Sequence, residues 1–351
     1  MDDEKEKKSD VIRLAHGAGG VLQEKLIHFI TDGISLKKIK NGIGVEELDD
    51  GATIPLDLYD KEIVVSADGH TVFPLFFPGG DLGILSITGT VNDLLMMGAR
   101  PIALTSIIII EEGFKFGELD KLVKSFNSKA QEANIAIIAG DTKIMPKGSL
   151  NEIIMATTGI GIKDKSVKIE DKNLKEGDKI IVTGSIGDHG TALMASRDEF
   201  GISTKLQSDV GLLNEIIDAI QEYINDNQIH AMKDPTRGGI AGALNEWAKK
   251  SNVGILIEED NVPIKKEVTA ICNMLGLDPY NIACEGRALI SCDPHQADEI
   301  LEKIQSTKSG KNATMIGTVL GDNQGHVLLE TTVGGKRFID TPLGEPIPRI
   351  C

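Results

Sequence analysis

Several acidic positions in the chain stand beside glycine or at the joints of apolar segments. Asp68 precedes Gly69 after an apolar stretch, and Asp81 lies in Gly79-Gly80-Asp81-Leu82-Gly83 ahead of another. Asn92-Asp93 sits inside that second stretch, Gly140-Asp141-Thr142 ends a third, and Asp234 opens Asp-Pro-Thr-Arg-Gly-Gly. Carboxylates at strand ends and helix starts suit Mg²⁺, a hard ion that takes oxygen ligands and keeps waters or phosphates. The plainer alternative is that Asp caps helices and fills turns. That alternative is weaker for Asp93, because a carboxylate among Val91, Leu94 and Leu95 needs a partner if buried. Asp50, in Leu48-Asp49-Asp50-Gly51-Ala52, is a fifth and weaker candidate for which a surface turn is the preferred reading.

Glycine gives a second signal. His16-Gly17-Ala18-Gly19-Gly20 has the make-up of a loop whose N–H groups wrap phosphate, and equally of a plain flexible loop. Gly184-Ser185-Ile186-Gly187 is open to the same two readings. Neither the P-loop pattern nor the dinucleotide fingerprint is present, so a nucleotide would be held in another way.

A third signal is Cys351 at the end of the chain, behind Pro342, Pro346 and Pro348. Proline favours extended backbone at about 3.1 Å per residue, so the stretch from Thr341 reads as an arm of roughly 34 Å bearing a thiol. Thiolates are strong nucleophiles and can carry acyl groups; a bland free thiol is the alternative. Lys143 is placed to neutralise phosphate or developing negative charge. Glu285, in Cys284-Glu285-Gly286-Arg287, is a candidate general base or one half of a surface Glu–Arg pair. His16, His70, His189 and His230 lack metal-ligand spacing and read as surface or hydrogen-bonding residues. Cys272, Cys284, Cys292 and Cys351 show no C-x-x-C spacing, which argues against structural zinc.

The elements that must position these residues follow from apolar periodicity. In the first half, strands are predicted at Glu62–Ala67, Pro101–Ile110, Ile135–Ala139 and Asn151–Ile162, and helices at Leu82–Ala99 and Gly117–Asn134. The charged segment Lys163–Asp178 marks a domain boundary. Beyond it, strands are predicted at Lys179–Thr183, Val253–Ile257 and Ala288–Ser291. Helices are predicted at Gly190–Phe200, Leu212–Tyr223, Gly239–Lys250, Lys266–Leu275 and Gln296–Gln305. Strands joined at Asp322-Asn323-Gln324-Gly325 fill Thr314–Phe338. Both halves mix helix and strand, so α/β or α+β layers are expected in each.

Composition sets the outer limits. The 351 residues suit two domains or one large one. Lys plus Arg total 37 against 53 Asp plus Glu, a net charge of −16, which argues against nucleic acid and against anionic membrane surfaces. No apolar run approaches the ~18 residues that span a bilayer, and the charged first ten residues are unlike a signal peptide, so a soluble cytoplasmic protein is expected.

The segments SADGHTVFPLFFPGGDLG, GTVNDLLMMGARP, AGDTKIMP, DPTRGGIAGALNE, CEGRALIS and the terminal PRIC occur in an order that resembles the HypE family of hydrogenase maturation proteins. That family lies in the superfamily of aminoimidazole ribonucleotide synthetase and selenophosphate synthetase. The resemblance runs from about His16 to Cys351. It implies an N-terminal α/β domain that contributes to a dimeric β-barrel, a C-terminal α+β domain, and ATP between them. It also implies the divisions 1–47 (arm with the glycine-rich loop), 48–165 (ATP-binding and dimerisation domain), 175–338 (C-terminal domain) and 339–351 (mobile tail).

The implied activity is that of a carbamoyl dehydratase. A HypF-type carbamoyltransferase loads Cys351. ATP then drives conversion of the S-carboxamide to an S-cyanide, and a HypC–HypD complex accepts the cyano group for the iron of [NiFe] hydrogenases. By match to the family's motifs, Asp68, Asp81, Asp93 and Asp234 are implied as Mg²⁺ and phosphate ligands, and Asn92, Asp141 and Thr142 as nucleotide contacts. Gly17, Gly19 and Gly20 are implied as a lid over the phosphates, Lys143 as charge stabiliser and Glu285 as base. Two other readings share some features. A selenophosphate synthetase needs a reactive Cys or selenocysteine with Lys in its N-terminal glycine segment, and HGAGG has neither. A nucleotide-sensing scaffold needs no thiol.

Overall fold

The computed structural model describes residues 52–341, together with 20–22, 24–25, 28, 41–43 and 47–50. The expectations for Gly17, Gly19, the tail beyond Thr341 and Cys351 lie outside the described residues.

The first unit opens with β1 (Ala52–Leu58) and β2 (Lys61–His70), then the short pair β3 (Phe76–Phe77) and β4 (Gly80–Asp81). Helix α1 (Leu82–Met96), β5 (Arg100–Glu111), α2 (Phe116–Glu132), β6 (Ala136–Met145) and β7 (Ile153–Asp164) complete it. The five long strands form one sheet in the order β1-β2-β7-β5-β6, antiparallel except for the β5–β6 pair. Along β7 buried and half-buried residues alternate without a break, as a sheet covered on one face requires. Helix α1 provides that cover against β2, β5 and β7. It is buried on nearly every side and starts on a side-chain cap from Asp81. It ends before Gly98, which has φ 69°, and before Pro101, whose ring disfavours helix in the residue ahead of it.

The second unit runs β8 (Lys179–Val182), α3 (Asp188–Ala195), α4 (Asn214–Ala219), α5 (Gln221–Asn225), β9 (Ile229–Lys233) and α6 (Gly239–Ser251). It continues with β10 (Gly254–Glu258), α7 (Lys266–Leu275), β11 (Leu289–Cys292), α8 (Ala297–Gln305), β12 (Thr314–Leu320), β13 (Val327–Glu330) and β14 (Lys336–Phe338). Its seven strands follow the order β14-β13-β10-β12-β8-β11-β9, with β10–β13 the one parallel pair. Trp247 of α6 is wholly buried against one face. One continuous apolar cluster joins Leu85, Val91 and Leu95 of α1 to Leu213, Ile216 and Ile220 at α4 and to Ile290 of β11, so the two units share a core.

Some elements differ from their sequence-based bounds. Gly140-Asp141-Thr142-Lys143 lies inside β6 and not after it, because β6 pairs with β5 as far as Met145. Strand β9 carries His230 and Lys233 among its five buried residues, and those polar residues interrupt the apolar run that marks a buried strand. Strand β1 was hidden in the same way by Pro55, which sits at a register shift on the sheet's edge, where proline is tolerated. The helix expected at Gly190–Phe200 is α3 followed by a short 3-10 turn at Asp198–Phe200, and the one expected at Leu212–Tyr223 breaks into α4 and α5 at Ile220. Among the described residues no helix is long and apolar enough to cross a membrane.

Candidate functional site

A cavity of about 40 Å³ opens where the two units meet. Two elements, one turn and one loop build it. The end of β2 contributes Asp68, Gly69 and His70. Leu85, Gly89 and Asp93 come from α1, spaced by four residues and therefore on one face. The turn from β9 into α6 brings Asp234, Thr236 and Arg237, and the loop before β11 brings Glu285. Gly89 lets α1 approach β2 this closely: a Cβ there would stand 2.7 Å from the His70 ring.

The cavity is strongly acidic. Ser66 Oγ donates to Asp93 Oδ2 at 2.5 Å, and Arg237 Nη2 lies 3.2 Å from Asp68 Oδ1. One carboxylate oxygen of Asp234 is buried with no hydrogen-bond partner. Burial, then the charges of Asp234, Asp50 and Asp68, push the Asp93 carboxyl well above the usual range. Burial and Asp50 do the same to Asp234. Glu285 is raised by burial and by Asp234, Asp68 and Asp209, against a smaller lowering by Arg237. Burial lowers His70, whose Nδ1 lies 3.6 Å from Asp68 and whose Nε2 lies 3.3 Å from Thr157 Oγ1.

Mutual repulsion of this kind is relieved by a cation. The donor set is all oxygen, and the unpartnered Asp234 oxygen supplies a free lone pair, so the residues fit Mg²⁺. Among the described residues no three such side chains already form a metal cage. That is consistent with an ion that keeps several waters and shares phosphate oxygens.

Asp50 belongs here and not to a surface turn. Its Oδ1 lies 3.2 Å from Lys233 Nζ, and its charge acts on both Asp93 and Asp234. Lys233 also reaches Asp171 at 3.0 Å and Glu246 at 3.1 Å. Asp171 in turn accepts from Lys250 at 2.6 Å and from Trp247 at 2.7 Å. This network ties residues 48–50 to α6 and holds the strand that leads into Asp234.

Other expected site residues fall elsewhere. Asp81 is not a cavity residue: its Oδ1 accepts from Ile84 N at 2.9 Å and from Ser125 Oγ at 2.6 Å, which caps α1. Asp93 lies twelve residues further along, about 18 Å at the helical rise. Asn92 is wholly buried and its amide is engaged by backbone groups, described below, instead of facing the cavity.

Asp141, Thr142 and Lys143 are exposed on β6, the edge strand. Asp141 pairs with Ile107, Ile107 with Ala156 and Ala156 with Gly69, so three strand spacings, about 14 Å, separate it from the cavity edge. Asp68 shares the helix-covered face with its partner Thr157, whereas Asp141 and Lys143 lie on the open face. In a single chain they do not reach the cavity. Gly20, with φ 75°, is the one glycine of the expected lid among the described residues.

Of the four histidines singled out, His16 lies outside the described residues, and the other three form hydrogen bonds in the interior. His70, His189 and His230 are buried, His189 Nδ1 against Ser208 Oγ at 2.8 Å and His230 Nδ1 against Asp178 Oδ2 at 2.8 Å. Glu285 is buried too, so it is not half of a surface pair; Arg287 turns to Ser185 O at 3.1 Å and to Asp209 at 3.7 Å.

Known proteins agree with this architecture. AIR synthase related proteins match over residues 48–163 with their N-terminal domain and over 175–330 with their C-terminal domain. A putative hydrogenase expression/formation protein of Methanocaldococcus jannaschii is 50% identical over 96% of this chain and 98% of its own. The carbamoyl dehydratase HypE of Rhizobium leguminosarum bv. viciae is 39% identical over 97% and 95%. A crystal structure of a HypE–HypF complex matches with a TM-score of 0.83 at 39% identity, over 92% of this chain and 100% of that one. One of HypE in complex with ATP gives 0.79 at 33% identity, over 96% and 98%. With two domain matches in series and relatives aligned along almost its whole length, the chain belongs to the HypE family of carbamoyl dehydratases, enzymes of hydrogenase maturation within the AIR synthase related proteins.

Proposed function

We propose that this enzyme uses ATP to dehydrate an S-carboxamide on Cys351 to an S-cyanide. The observation that carries the reading is the meeting of a buried carboxyl, Glu285, with the acidic group Asp68, Asp93 and Asp234 in one cavity between the two units. An amide oxygen leaves poorly. Its transfer to phosphorus makes it a good leaving group, and loss of both N–H protons then gives the nitrile. Atoms balance as S–C(O)NH₂ plus ATP giving S–C≡N, ADP and phosphate.

The residues divide these tasks. Asp68, Asp93, Asp234 and Asp50 would hold Mg²⁺, which offsets phosphate charge when bound. Arg237, beside Asp68, faces the same cavity and is placed to pair with phosphate oxygens. Glu285 takes protons from the carboxamide nitrogen. Burial that raises its carboxyl makes it a stronger base once ionised. Gly17, Gly19 and Gly20 cover the phosphates. Asp81 supports the site by capping α1.

The carbamoyl group comes from a HypF-type carbamoyltransferase, a role supported by the solved HypE–HypF complex, and ATP is supported by the solved HypE–ATP complex. The acceptor of the cyano group is a HypC–HypD complex, and the setting is cytoplasmic. We further take the enzyme to be a homodimer joined through the open face of the first sheet. Ile107, Ile138 and Ile144 are exposed there and at its edge strand. Asp141, Thr142 and Lys143 lie on that strand, so their part in nucleotide binding and charge stabilisation falls to the dimer and not to the cavity of their own chain.

The test is intact mass after carbamoylation and addition of ATP. The parent protein should lose one water from the adduct, whereas Glu285→Gln should keep the carboxamide. Normal conversion by Glu285→Gln would reject its role as base.

A further inference from the structure

We infer that Asn92 and Asp209 are positioning residues which clamp the main chain of Glu285 from both sides. The inference rests on the proposed role of Glu285 as base.

Asn92 sits on α1, one residue before Asp93, and is wholly buried. Its Nδ2 donates to Gly211 O at 3.0 Å and to Glu285 O at 3.4 Å, and its Oδ1 accepts from Leu213 N at 3.0 Å. The Asp209 side chain, also buried, faces the N–H side of the same residue. Its Oδ1 accepts from Glu285 N and its Oδ2 from Gly286 N, each at 3.4 Å. Arg287 Nε lies 3.7 Å from Oδ2 and offsets the charge. Gly286 is pressed on the same loop: a Cβ there would stand 2.0 Å from Asp209 O, so glycine is required.

The N–H and C=O of Glu285 are thus both held, one by each residue. The carbonyl is held from the first unit, because Asn92 belongs to α1. That loop is fastened to the first unit a second time, through Ser208 N to Pro78 O at 2.8 Å. One helix therefore presents Asp93 to the cavity and sets where the base stands relative to it. The contacts to Glu285 at 3.4 Å are longer than ordinary N–H···O bonds, and such contacts shorten when a reactive complex closes. A misplacement of about 1 Å in a catalytic group costs about a hundredfold in rate.

Two isosteric variants test this. Asn92→Asp keeps the acceptor for Leu213 N and turns the donor toward two carbonyls into an acceptor. Asp209→Asn replaces one acceptor oxygen with a donor, facing either N–H. Each is carbamoylated as full-length protein. Single-turnover loss of water is followed by intact mass over long incubation, and ATP binding by calorimetry. Conversion should fall ten- to a hundredfold with ATP affinity within about twofold of the parent. Placed on Glu285→Gln, Asn92→Asp should cause no further loss, since residues that act through one group are not additive. Weakened ATP binding with an unchanged saturated rate would overturn the inference by making Asn92 a nucleotide contact. Additive losses, or parental rates in both variants, would overturn it as well. Should Asn92→Asp not fold, Asp209→Asn carries the same readouts from outside the helix. Failure of the underlying reading looks different: Glu285→Gln alone would then convert at the parental rate.

Discussion

At the scale of single residues, the site is a set of carboxylates held closer than their charges favour. Asp93→Asn removes one of them from the centre of the group, and Mg-ATP binding should weaken by at least tenfold in calorimetry; unchanged affinity would remove Asp93 from the ligand set. Asp50→Asn should act in the same direction. The sequence showed Asp68, Asp93, Asp234 and Glu285 because each carboxyl stands against apolar or glycine-rich neighbours, where a buried charge needs a reason. Asp50 ranks below them in the sequence because Asp-Asp-Gly is also the make-up of a solvent turn. Only Lys233, more than 180 residues away in sequence, shows its placement. Asp81 shows the converse: an Asp before an apolar helix reads equally as a ligand or as a cap, and its carboxylate accepts from Ile84 N as a cap does.

At the scale of elements, stability depends on buried polar groups within strands and helices. Lys233 on β9 lies among Asp50, Asp171 and Glu246. Lys233→Met should cost about 3–5 kcal/mol in urea unfolding, because it leaves Asp50 without its cation and buried Asp171 with Lys250 alone. His189 on α3 is held neutral by burial, which lowers it from 6.5 to about 3. The unfolded chain therefore binds a proton that the folded one refuses. This stability is complete above pH 6.5 and is lost as pH falls toward 3, at about 1.4 kcal/mol per pH unit. His189→Gln should flatten that slope in unfolding titrations between pH 6.5 and 4. Asp171 adds a loss at lower pH: burial opposes its ionisation, but Lys233 and Lys250 bring it to about 2, so its contribution fades from near pH 4 downward. Most long elements were legible from periodicity. Strand β9 was not, since its polar residues are satisfied by Asp178 and Asp171 and not by water. The end of β6 was not legible either, since Gly140-Asp141-Thr142 resembles a turn and only its pairing with β5 keeps it extended.

At the scale of the whole molecule, the two units share a core and place the cavity at their junction, while among the described residues no helix covers the second face of the first sheet. Exposed Ile107 lies on that face, the proposed dimer surface. Ile107→Glu should shift the protein to monomer in light scattering and lower dehydration without altering the carbamoylation of Cys351. A variant that stays dimeric would place the interface elsewhere. Two units of mixed helix and strand were legible from the alternating periodicity in both halves, but the open face was not, because an apolar strand reads the same whether a helix or a second copy covers it.

The central claim is that the last residue carries the group being dehydrated and that the cavity at the junction dehydrates it. Intact mass of full-length protein, followed through carbamoylation by a HypF-type partner and then addition of Mg-ATP, tests it most directly. The account predicts one carbamoyl adduct, absent in Cys351→Ala, that loses a single water only when ATP is added. An adduct on Cys351→Ala, or loss of water without ATP, would contradict it.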